Sequence, residues 1–349
     1  MGKVVTFFGP GKVGITEYAD APLKSTEVRL QTLYSGISAG TELTHYRGSN
    51  VYLHKLWNDN SRLFLSNQGA TSKTYPIYGS GYEECGKVVE TGSAVTKVNE
   101  GSIVYGTWQH RTHHIVTEDY AAARILPDNL EPLLGIFSQM TAIAYNGILD
   151  ASLHLGETVA IFGLGVPGQI CAQMAKRSGA RVIGVDLIDM RLQLAKEQGW
   201  IDIALKGNDG DIGEKIKELT SKKGADTAIE VSGSYAALQQ AVRAVAYSAK
   251  VIALGFYQGA GQSLFLGEEF HHNRVNVVCS QISGVAPELS YRWNVERMVH
   301  RGIDLQSEGI LNLKPLITHV YPFTQLALAY ELVSNQPEEV LQMVLDFTQ

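Results

Sequence analysis

The stretch VAIFGLGVPGQICAQMAKRSGARVIGVD, residues 159–186, decides the fold of this chain. It opens with a run of apolar residues typical of a strand that is buried on both faces. A glycine-rich turn follows, then a segment with apolar residues near helical spacing, and then a second apolar run that ends in Asp186. The order strand, turn, helix, strand predicts one βαβ unit of a parallel sheet.

The turn within this unit fits the pattern G-x-G-x-x-G. Gly163 permits a tight turn, Gly165 lets the backbone approach a pyrophosphate, and Gly168 lets helix and strand pack closely. Pro167 suits the first helical turn, where its missing N–H is not needed, and the helix N-terminus offers free N–H groups to phosphate oxygens. The sequence therefore predicts a dinucleotide site formed by Gly163, Leu164, Gly165, Val166, Pro167 and Gly168.

Asp186 closes the second strand, about 20 residues after the glycines. Its carboxylate can accept hydrogen bonds from the hydroxyl groups of the adenosine ribose, and its charge would repel a 2′-phosphate. This position favours NAD over NADP as the cofactor. The alternative is a purely structural glycine turn, in which Asp186 caps the next helix.

The rest of the chain shows two kinds of sequence pattern. From about 143 to 283, six apolar runs are spaced as strands between helical patterns, which predicts a doubly wound parallel sheet. Residues 1–142 are rich in Gly, Thr, Tyr and short alternating apolar runs, which are typical of a β-rich, barrel-like unit. Residues 284–349 are interpreted as a return segment that completes the first unit.

Composition restricts the class of protein. The chain has 349 residues, of which 45% are hydrophobic and 18% are charged, with a formal net charge of −6 and no long basic run. Nucleic acid and anionic membrane are therefore not expected partners. No stretch approaches the roughly 18 uncharged apolar residues that a spanning helix needs, and the three cysteines form no C-x-x-C pair. We expect a cytoplasmic protein without a disulfide framework.

The chain resembles the medium-chain dehydrogenase/reductase superfamily, to which the zinc alcohol dehydrogenases belong. The resemblance covers nearly the whole chain and rests on SGISAGTEL (35–43), GSGYEECGKVVETG (79–92), GSIVYG (101–106), ILP (125–127), VAIFGLGVPG (159–168), VIGVD (182–186), EVSG (230–233) and ALGF (253–256). It implies a Rossmann NAD-binding domain over 143–283, and a GroES-like catalytic domain formed by 1–142 and completed by 284–349. The fold class is thus α/β.

The resemblance also implies contacts to the cofactor beyond the glycine turn. Such contacts come from the ends of further Rossmann strands and from one helix, at Arg191, Val231, Ser232, Gly233, Leu254, Gly255, Phe256 and Ser280. By the same analogy, the edge strand around 275–281 is expected to pair two copies of the chain into a homodimer.

The residues that bind the catalytic zinc in those relatives are replaced in this sequence. Those enzymes hold a catalytic zinc with a cysteine in a G-I-C-G-T-D-like motif, a histidine in G-H-E and a third cysteine or acid. Here Ser38, Tyr82 and Gln139 stand at these places, and Glu83 is kept. Hydroxyl, phenol and amide are poor zinc ligands, and the four-cysteine lobe for structural zinc is missing too. We expect no metal, and the motifs look most like a zinc-lacking subgroup that includes bacteriochlorophyllide-type dehydrogenases.

Hydride transfer without zinc needs a side chain that stabilises the developing alkoxide and supplies a proton. Tyr82 is the candidate donor, Ser38 and Thr41 could orient a hydroxyl group, and Glu83 could act as an acid. Each has a structural alternative: Tyr82 could fill the vacated zinc cavity, Ser38 and Thr41 could be turn residues, and Glu83 could pair with a buried base. Substrate contacts are expected from His45, Arg47, Trp108, His110 and Gln139.

These observations predict a zinc-independent, NAD(H)-dependent oxidoreductase that interconverts a secondary alcohol, such as a polar or cyclic one, and its ketone. Two alternatives stay open. The first is a zinc-free enone reductase, in which water protonates a carbanion, although Asp186 argues against the NADP preference common in that group. The second is a non-enzymatic NAD(H)-binding sensor, which would bind the cofactor without turning over any carbonyl compound.

Overall fold

The chain folds into two compact units, as a computed structural model that describes residues 1–65 and 70–349 shows. The first unit comprises Met1–Gln139 and Ile317–Gln349, and the second comprises Met140–Leu316. In the described residues no helix is both long and apolar enough to cross a membrane.

The described residues form seventeen β-strands and nine α-helices. The strands are β1 (Gly2–Gly9), β2 (Lys12–Tyr18), β3 (Glu27–Ile37), β4 (Leu56–Asn58), β5 (Leu63–Leu65), β6 (Ile77–Tyr78), β7 (Glu84–Thr91), β8 (Ile103–Gly106), β9 (His113–Thr117), β10 (Thr158–Phe162), β11 (Arg181–Asp186), β12 (Ile203–Lys206), β13 (Ala225–Glu230), β14 (Val245–Ala253), β15 (Asn276–Cys279), β16 (Ile317–Pro322) and β17 (Gln342–Asp346). The α-helices are α1 (Glu42–Arg47), α2 (Glu118–Ala122), α3 (Ser138–Ala151), α4 (Val166–Arg177), α5 (Asp189–Glu197), α6 (Ile212–Leu219), α7 (Tyr235–Ala244), α8 (Val295–Ser307) and α9 (Leu326–Asn335).

The second unit contains a parallel sheet with the strand order β12-β11-β10-β13-β14-β15. This is the order of a doubly wound nucleotide-binding sheet. Its first three strands are added toward one edge of the sheet, and the next three are added toward the other edge. Strand β10 lies between β11 and β13, and its apolar side chains are buried. Phe162, Val185 and Val242 belong to one buried core. The predicted six-stranded parallel sheet is confirmed.

The first unit is β-rich, as predicted. Its largest sheet has the order β16-β17-β3-β7-β8, with β9 also on β3, and a smaller sheet has the order β2-β1-β6. Strand β17, near the end of the chain, pairs antiparallel with β3. Its residues Met343 and Leu345 share a core with Phe7 and Tyr330, so the last residues of the chain complete this unit.

The segment that returns to the first unit begins at Ile317 in the structure, later than the boundary at residue 284 that the sequence suggested. Residues 284–316 belong to the second unit, because Gly302 of α8 packs on Thr141 of α3 and Gln173 of α4 exchanges hydrogen bonds of 2.8 and 3.2 Å with the backbone of Asn312. The expected extents of the domains, 1–142, 143–283 and 284–349, otherwise stay predictions.

Strand β14 ends earlier than its sequence pattern predicts. The apolar run 250–256 indicated a strand to Phe256, but the strand ends at Ala253. The N–H groups of Leu254 and Gly255 both donate to the carbonyl of Glu230, at 2.9 and 3.0 Å. The chain therefore turns at the carboxyl end of the sheet.

Candidate active site

Three hydroxyl groups meet in the first unit, and we call Ser38, Thr41 and Tyr82 the hydroxyl cluster. Ser38 follows β3, Thr41 precedes α1, and Tyr82 precedes β7. The Ser38 Oγ lies 2.5 Å from the Tyr82 hydroxyl, which donates to Thr41 Oγ1 at 3.3 Å. The structure thus brings together three of the four residues predicted to be catalytic.

The Tyr82 phenol is held in its protonated form. The side chain is partly buried, and burial, followed by the nearby Glu83, raises the pKa of the phenol above its ordinary value. Tyr82 is therefore protonated at neutral pH. Its two hydroxyl partners can hold it in place and exchange protons with it.

Glu83 lies buried in the first unit, next to Gly36 of β3. Neither of its carboxylate oxygens accepts a hydrogen bond of regular geometry, and the polar group beside it is the Gln342 amide. Gly36 leaves room for both, since a Cβ there would lie 2.4 Å from Glu83 Oε2 and 2.8 Å from Gln342 Nε2. Burial, with Glu42 and Glu84, raises the pKa of Glu83 well above its usual range. Burial thus favours the neutral form of this carboxyl group, and its neighbour is an amide.

A buried network stands behind the hydroxyl cluster. Glu42 accepts hydrogen bonds from the Ser38 N–H at 2.8 Å and from the Tyr330 hydroxyl at 2.7 Å. Its Oε2 lies 2.6 Å from Nε2 of His110, whose Nδ1 lies 2.5 Å from Ser35 Oγ. The network connects the backbone of the hydroxyl cluster to the core of the unit.

Charge is balanced within this network. Burial opposes ionisation of Glu42, but His110 lowers the pKa of Glu42 on balance. Burial also disfavours the imidazolium of His110, but Glu42 raises the pKa of His110. Burial raises the pKa of Glu84, a second acid near this histidine, to about 7. The opposite shifts of the two pKa values favour an ionised Glu42 beside a protonated His110, which is a buried ion pair.

Two of the predicted substrate residues are buried instead. His110 is 0% exposed and Trp108 is 3% exposed. Both nitrogens of the His110 ring face protein atoms, while the Trp108 indole N–H donates to Thr32 Oγ1 at 2.9 Å. Both side chains are thus engaged by other protein groups, and their contact with a substrate stays a prediction.

The other predicted substrate residues have different surroundings. Arg47 donates from Nη2 to the carbonyl of Ser334 at 2.8 Å, which holds its guanidinium against α9. His45 is buried, and Lys73 Nζ lies 3.5 Å from its Nε2. Gln139 lies partly buried in the first turn of α3. Their roles toward a substrate stay predictions.

The glycine turn of the second unit has an open space at the N-terminus of α4. Gly163 has φ +93°, which favours glycine, and a Cβ on Gly168 would lie 1.9 Å from the Gly163 carbonyl oxygen. A Cβ on Gly165 would meet nothing closer than Arg191 Nη1 at 4.0 Å. The turn thus needs Gly163 and Gly168 for its own shape, while Gly165 leaves a cradle that fits a pyrophosphate.

Asp186 supports the glycine turn from the end of β11. Its Oδ2 accepts from the Leu164 N–H at 2.6 Å, and its Oδ1 accepts from the Ile188 N–H at 2.8 Å. Arg191 Nη1 lies 3.9 Å from the same carboxylate. Asp186 therefore has a structural role in the turn, and its contact with a ribose stays a prediction.

A second turn forms at the carboxyl ends of β13 and β14, where cofactor contacts were expected. Glu230 accepts from the N–H groups of Ser232 at 2.9 Å and Gly233 at 3.1 Å, and from the hydroxyl groups of Ser232 and Tyr257. A Cβ on Gly255 would lie 2.3 Å from the Gly233 nitrogen. The structure thus brings together two groups of predicted residues, Val231, Ser232 and Gly233 with Leu254, Gly255 and Phe256.

Sequence reasoning missed the residues that hold this second turn. Glu230 and Tyr257 do so from positions whose patterns signal only a strand and a loop. Ser280, another predicted contact, follows β15, is 2% exposed and accepts from the Asn146 amide at 3.3 Å.

The residues at the family's zinc positions do not fit a zinc ion. Ser38 and Tyr82 are hydrogen-bonded to each other, and the raised pKa of the phenol disfavours the phenolate that would bind a metal. Across residues 1–65 and 70–349, no group of three or more His, Cys, Asp or Glu is arranged to hold a metal ion. No catalytic step is therefore assigned to zinc.

Comparison with known proteins identifies the family. A family model described as zinc-binding dehydrogenase matches residues 167–298. D-guloside 3-dehydrogenase of Escherichia coli is 30% identical over 352 residues, which cover 99% of this chain and 100% of that protein. The chain belongs to the zinc-type alcohol dehydrogenase-like superfamily of medium-chain dehydrogenases/reductases. The predicted superfamily is thus confirmed, while a zinc-lacking subgroup close to bacteriochlorophyllide-type dehydrogenases stays a prediction.

Other superfamily members match over nearly the full chain. Sorbitol dehydrogenase of Halalkalibacterium halodurans is 25% identical, over 98% of this chain and 99% of that protein. Among solved structures, 2R,3R-butanediol dehydrogenase of Bacillus subtilis superposes with a TM-score of 0.77 at 19% identity, covering 99% of each chain. An oxidoreductase of unknown specificity from Escherichia coli superposes with a TM-score of 0.79 at 20% identity, covering 100% of this chain and 99% of that chain. The structural likeness confirms the α/β fold class.

Proposed function

We propose that this protein is a zinc-independent, NAD(H)-dependent dehydrogenase that interconverts a secondary alcohol of a sugar or polyol and its ketone. The observation that supports the proposal is the hydroxyl cluster, in which the Tyr82 phenol contacts the hydroxyl groups of Ser38 and Thr41. Ser38 and Tyr82 stand at two of the positions where the resemblance implies metal ligands. The full-length relatives named D-guloside 3-dehydrogenase and sorbitol dehydrogenase support the substrate class.

The phenol of Tyr82 takes the part of the acid and base in this proposal. A nicotinamide cofactor held at the glycine turn of Gly163, Gly165 and Gly168 would supply the hydride exchange with the carbinol carbon of the substrate. In ketone reduction, Tyr82 donates its proton to the oxygen as the C–H bond forms. Ser38 and Thr41 then pass a proton back to the phenolate, and solvent supplies the replacement. Alcohol oxidation runs the same steps backwards and releases one proton.

The cofactor is proposed to be NAD rather than NADP. The carboxylate of Asp186 at the end of β11 disfavours a 2′-phosphate at the adenosine ribose. A solved structure of a superfamily member at 20% identity is a complex with NADH, and another is bound to NADP. Both nicotinamide cofactors thus occur among the structural neighbours, and in this proposal Asp186 carries the choice between the two.

The test measures oxidation of a panel of secondary alcohols and polyols by the full-length protein, with NAD and with NADP, before and after treatment with a chelator. We expect turnover with NAD, no loss on chelation and less than stoichiometric zinc by elemental analysis. Stoichiometric zinc whose removal abolishes turnover would contradict zinc independence. Turnover of enones alone would indicate the enone reductase, and cofactor binding without turnover would indicate the sensor.

The variant Tyr82→Phe tests the proton donor. We expect kcat to fall by about 100-fold or more, because a positioned acid contributes roughly 10²–10⁴-fold, while the dissociation constant for NADH stays within two-fold of the wild-type value. Tyr78→Phe is the matched control, since this tyrosine is 61% exposed. A Tyr82→Phe protein that keeps its kcat within a few-fold would show that Tyr82 only fills space.

A further inference from the structure

Glu230, the last residue of β13, holds two chain segments together at the carboxyl end of the parallel sheet. Its Oε1 accepts from both donors of Ser232, the N–H group at 2.9 Å and the hydroxyl group. Its Oε2 accepts from the Gly233 N–H at 3.1 Å and from the Tyr257 hydroxyl. A Cβ on Gly255 would lie 2.9 Å from the same Oε2. The side chain is 0% exposed, so the carboxylate is enclosed between the turn after β13 and the turn after β14.

The carboxylate of Glu230 is surrounded by hydrogen-bond donors but has no cation beside it. Burial raises the pKa of Glu230, and the hydrogen bonds from Ser232, Tyr257 and Gly233 lower it. In the part of the chain that the structure describes, no lysine, arginine or histidine forms an ion pair with it. Four donors to one carboxylate favour its ionised form. Because dipoles alone stabilise this charge, it attracts a positively charged group that binds near it.

The strand order indicates which half of a dinucleotide would lie near Glu230. Strand β10 lies between β11 and β13, and the turn after β10 contains the pyrophosphate cradle at Gly165. A dinucleotide extends from such a cradle to both sides, across the carboxyl ends of the strands. Asp186 ends β11, the side proposed for the adenosine ribose, so we expect the nicotinamide half over β13 and β14. Glu230 is in register with Ala253, the last residue of β14, and is therefore the buried acid on the nicotinamide side.

Resting on the proposed function, we infer that Glu230 is a specificity-determining residue whose negative charge favours the oxidised cofactor over the reduced one. The nicotinamide ring carries a positive charge in NAD⁺ and is neutral in NADH. A buried carboxylate on this side of the sheet attracts only the charged ring, and water screens a buried charge weakly. In alcohol oxidation this charge favours the binding of NAD⁺ and the release of NADH. Tyr257 is a positioning residue, because its hydroxyl group holds the carboxylate between the two turns.

The test measures dissociation constants for NAD⁺, NADH and ADP-ribose by calorimetry on the full-length protein, without an alcohol or ketone. In Glu230→Gln we expect the ratio of the NAD⁺ constant to the NADH constant to rise by roughly 3- to 30-fold, as for a lost interaction between two unit charges inside a protein. ADP-ribose lacks the nicotinamide ring and should show the same change as NADH. Glu230→Asp keeps the charge, so its ratio should stay within two-fold of the wild-type value.

Asp226→Asn is the matched control, because Asp226 is an exposed acid near the other end of the same strand. It should change the ratio by less than two-fold. Tyr257→Phe should do the same, since it removes one donor and keeps the charge. If Glu230→Gln does not fold, the double variant with Glu230→Gln and Tyr257→Phe is compared with Tyr257→Phe, because its amide no longer faces the phenol. A folded variant without the charge that keeps the wild-type ratio, or binds all three ligands equally more weakly, would overturn the inference.

Binding without turnover separates this inference from the proposed function. If no alcohol is oxidised but the ratio depends on the charge of Glu230, the proposed reaction fails and the role of Glu230 stands. If alcohols are oxidised but the ratio is the same in the wild-type and Glu230→Gln proteins, the inference fails and the proposed function stands. The ratio is the decisive measurement, because a purely structural loss of the turn would weaken the binding of both cofactor forms alike.

Discussion

Glu42 joins the hydroxyl cluster to the core of the first unit. Its side chain is 2% exposed and contacts three donors: the Ser38 N–H, the His110 ring and the Tyr330 hydroxyl. A buried carboxylate is tolerated only when it is paired and hydrogen-bonded. The position of Ser38, and through it of Tyr82, therefore depends on this ion pair.

Glu42→Gln should lower the free energy of unfolding by about 3–5 kcal/mol, because it leaves the buried His110 without its counter-charge. Tyr330→Phe should cost about 1.5–3 kcal/mol, since it removes one hydrogen bond to a charged group. Urea unfolding followed by circular dichroism measures both, and Tyr247→Phe, at a tyrosine that is 65% exposed, is the control. A Glu42→Gln protein as stable as Tyr330→Phe would show that the ion pair is not formed.

Local sequence patterns predicted the hydroxyl cluster but not the network behind it. Ser38, Thr41 and Tyr82 lie in short motifs, and the resemblance of these motifs to those of metal-binding relatives is enough to predict that the three side chains share one site. The contacts of Glu42 join residues 68 and 288 positions apart along the chain. No spacing rule connects such positions, since each residue alone reads as an ordinary polar side chain.

The glycine turn shows how one element can separate folding from binding. A Cβ on Gly168 would collide with the backbone carbonyl of Gly163, whereas a Cβ on Gly165 would meet nothing closer than Arg191 Nη1 at 4.0 Å. Gly165 also has φ −64° and ψ −174°, a conformation that alanine adopts without strain. Two substitutions of equal size therefore have different consequences.

Gly165→Ala should leave the free energy of unfolding within about 0.5 kcal/mol of the wild-type value and weaken NADH binding by roughly ten-fold or more, because the methyl group occupies the space for the pyrophosphate. Gly168→Ala should destabilise the protein by about 2 kcal/mol or more through backbone displacement. Thermal unfolding and fluorescence titration with NADH measure the two effects. Unchanged NADH affinity in a folded Gly165→Ala protein would place the cofactor elsewhere.

Elements of the second unit were predicted more closely than those of the first. Most strands of the parallel sheet are local apolar runs separated by helical patterns, so their existence can be read from the sequence directly. The first unit depends on pairings such as β3 with β17, which joins Ile37 to Met343. The β-rich texture predicted the class of this unit, but its strand register depends on long-range contacts.

At the scale of the whole molecule, the edge strands differ in how they are protected. Natural edge strands carry charges or prolines that discourage pairing with another chain. Strand β12 ends in Lys206 and β16 ends in Pro322, whereas β15 has the sequence NVVC, with neither a charge nor a proline. Val277 of β15 is 40% exposed. We therefore propose that two copies of the chain pair through β15. In a two-fold symmetric dimer the same surface of each copy meets its counterpart, so one exposed edge strand is enough to form the interface.

Val277→Lys should convert this dimer to a monomer, because a charged side chain would have to be buried where the two edges meet. Val320→Lys is the matched control, since Val320 is 43% exposed and lies on β16, an edge strand of the first unit. Sedimentation velocity at micromolar concentration measures the mass, and circular dichroism verifies that both variants fold. Dimerisation through β15 would be ruled out by a monomeric wild-type protein, or by a dimer that survives Val277→Lys and dissociates with Val320→Lys.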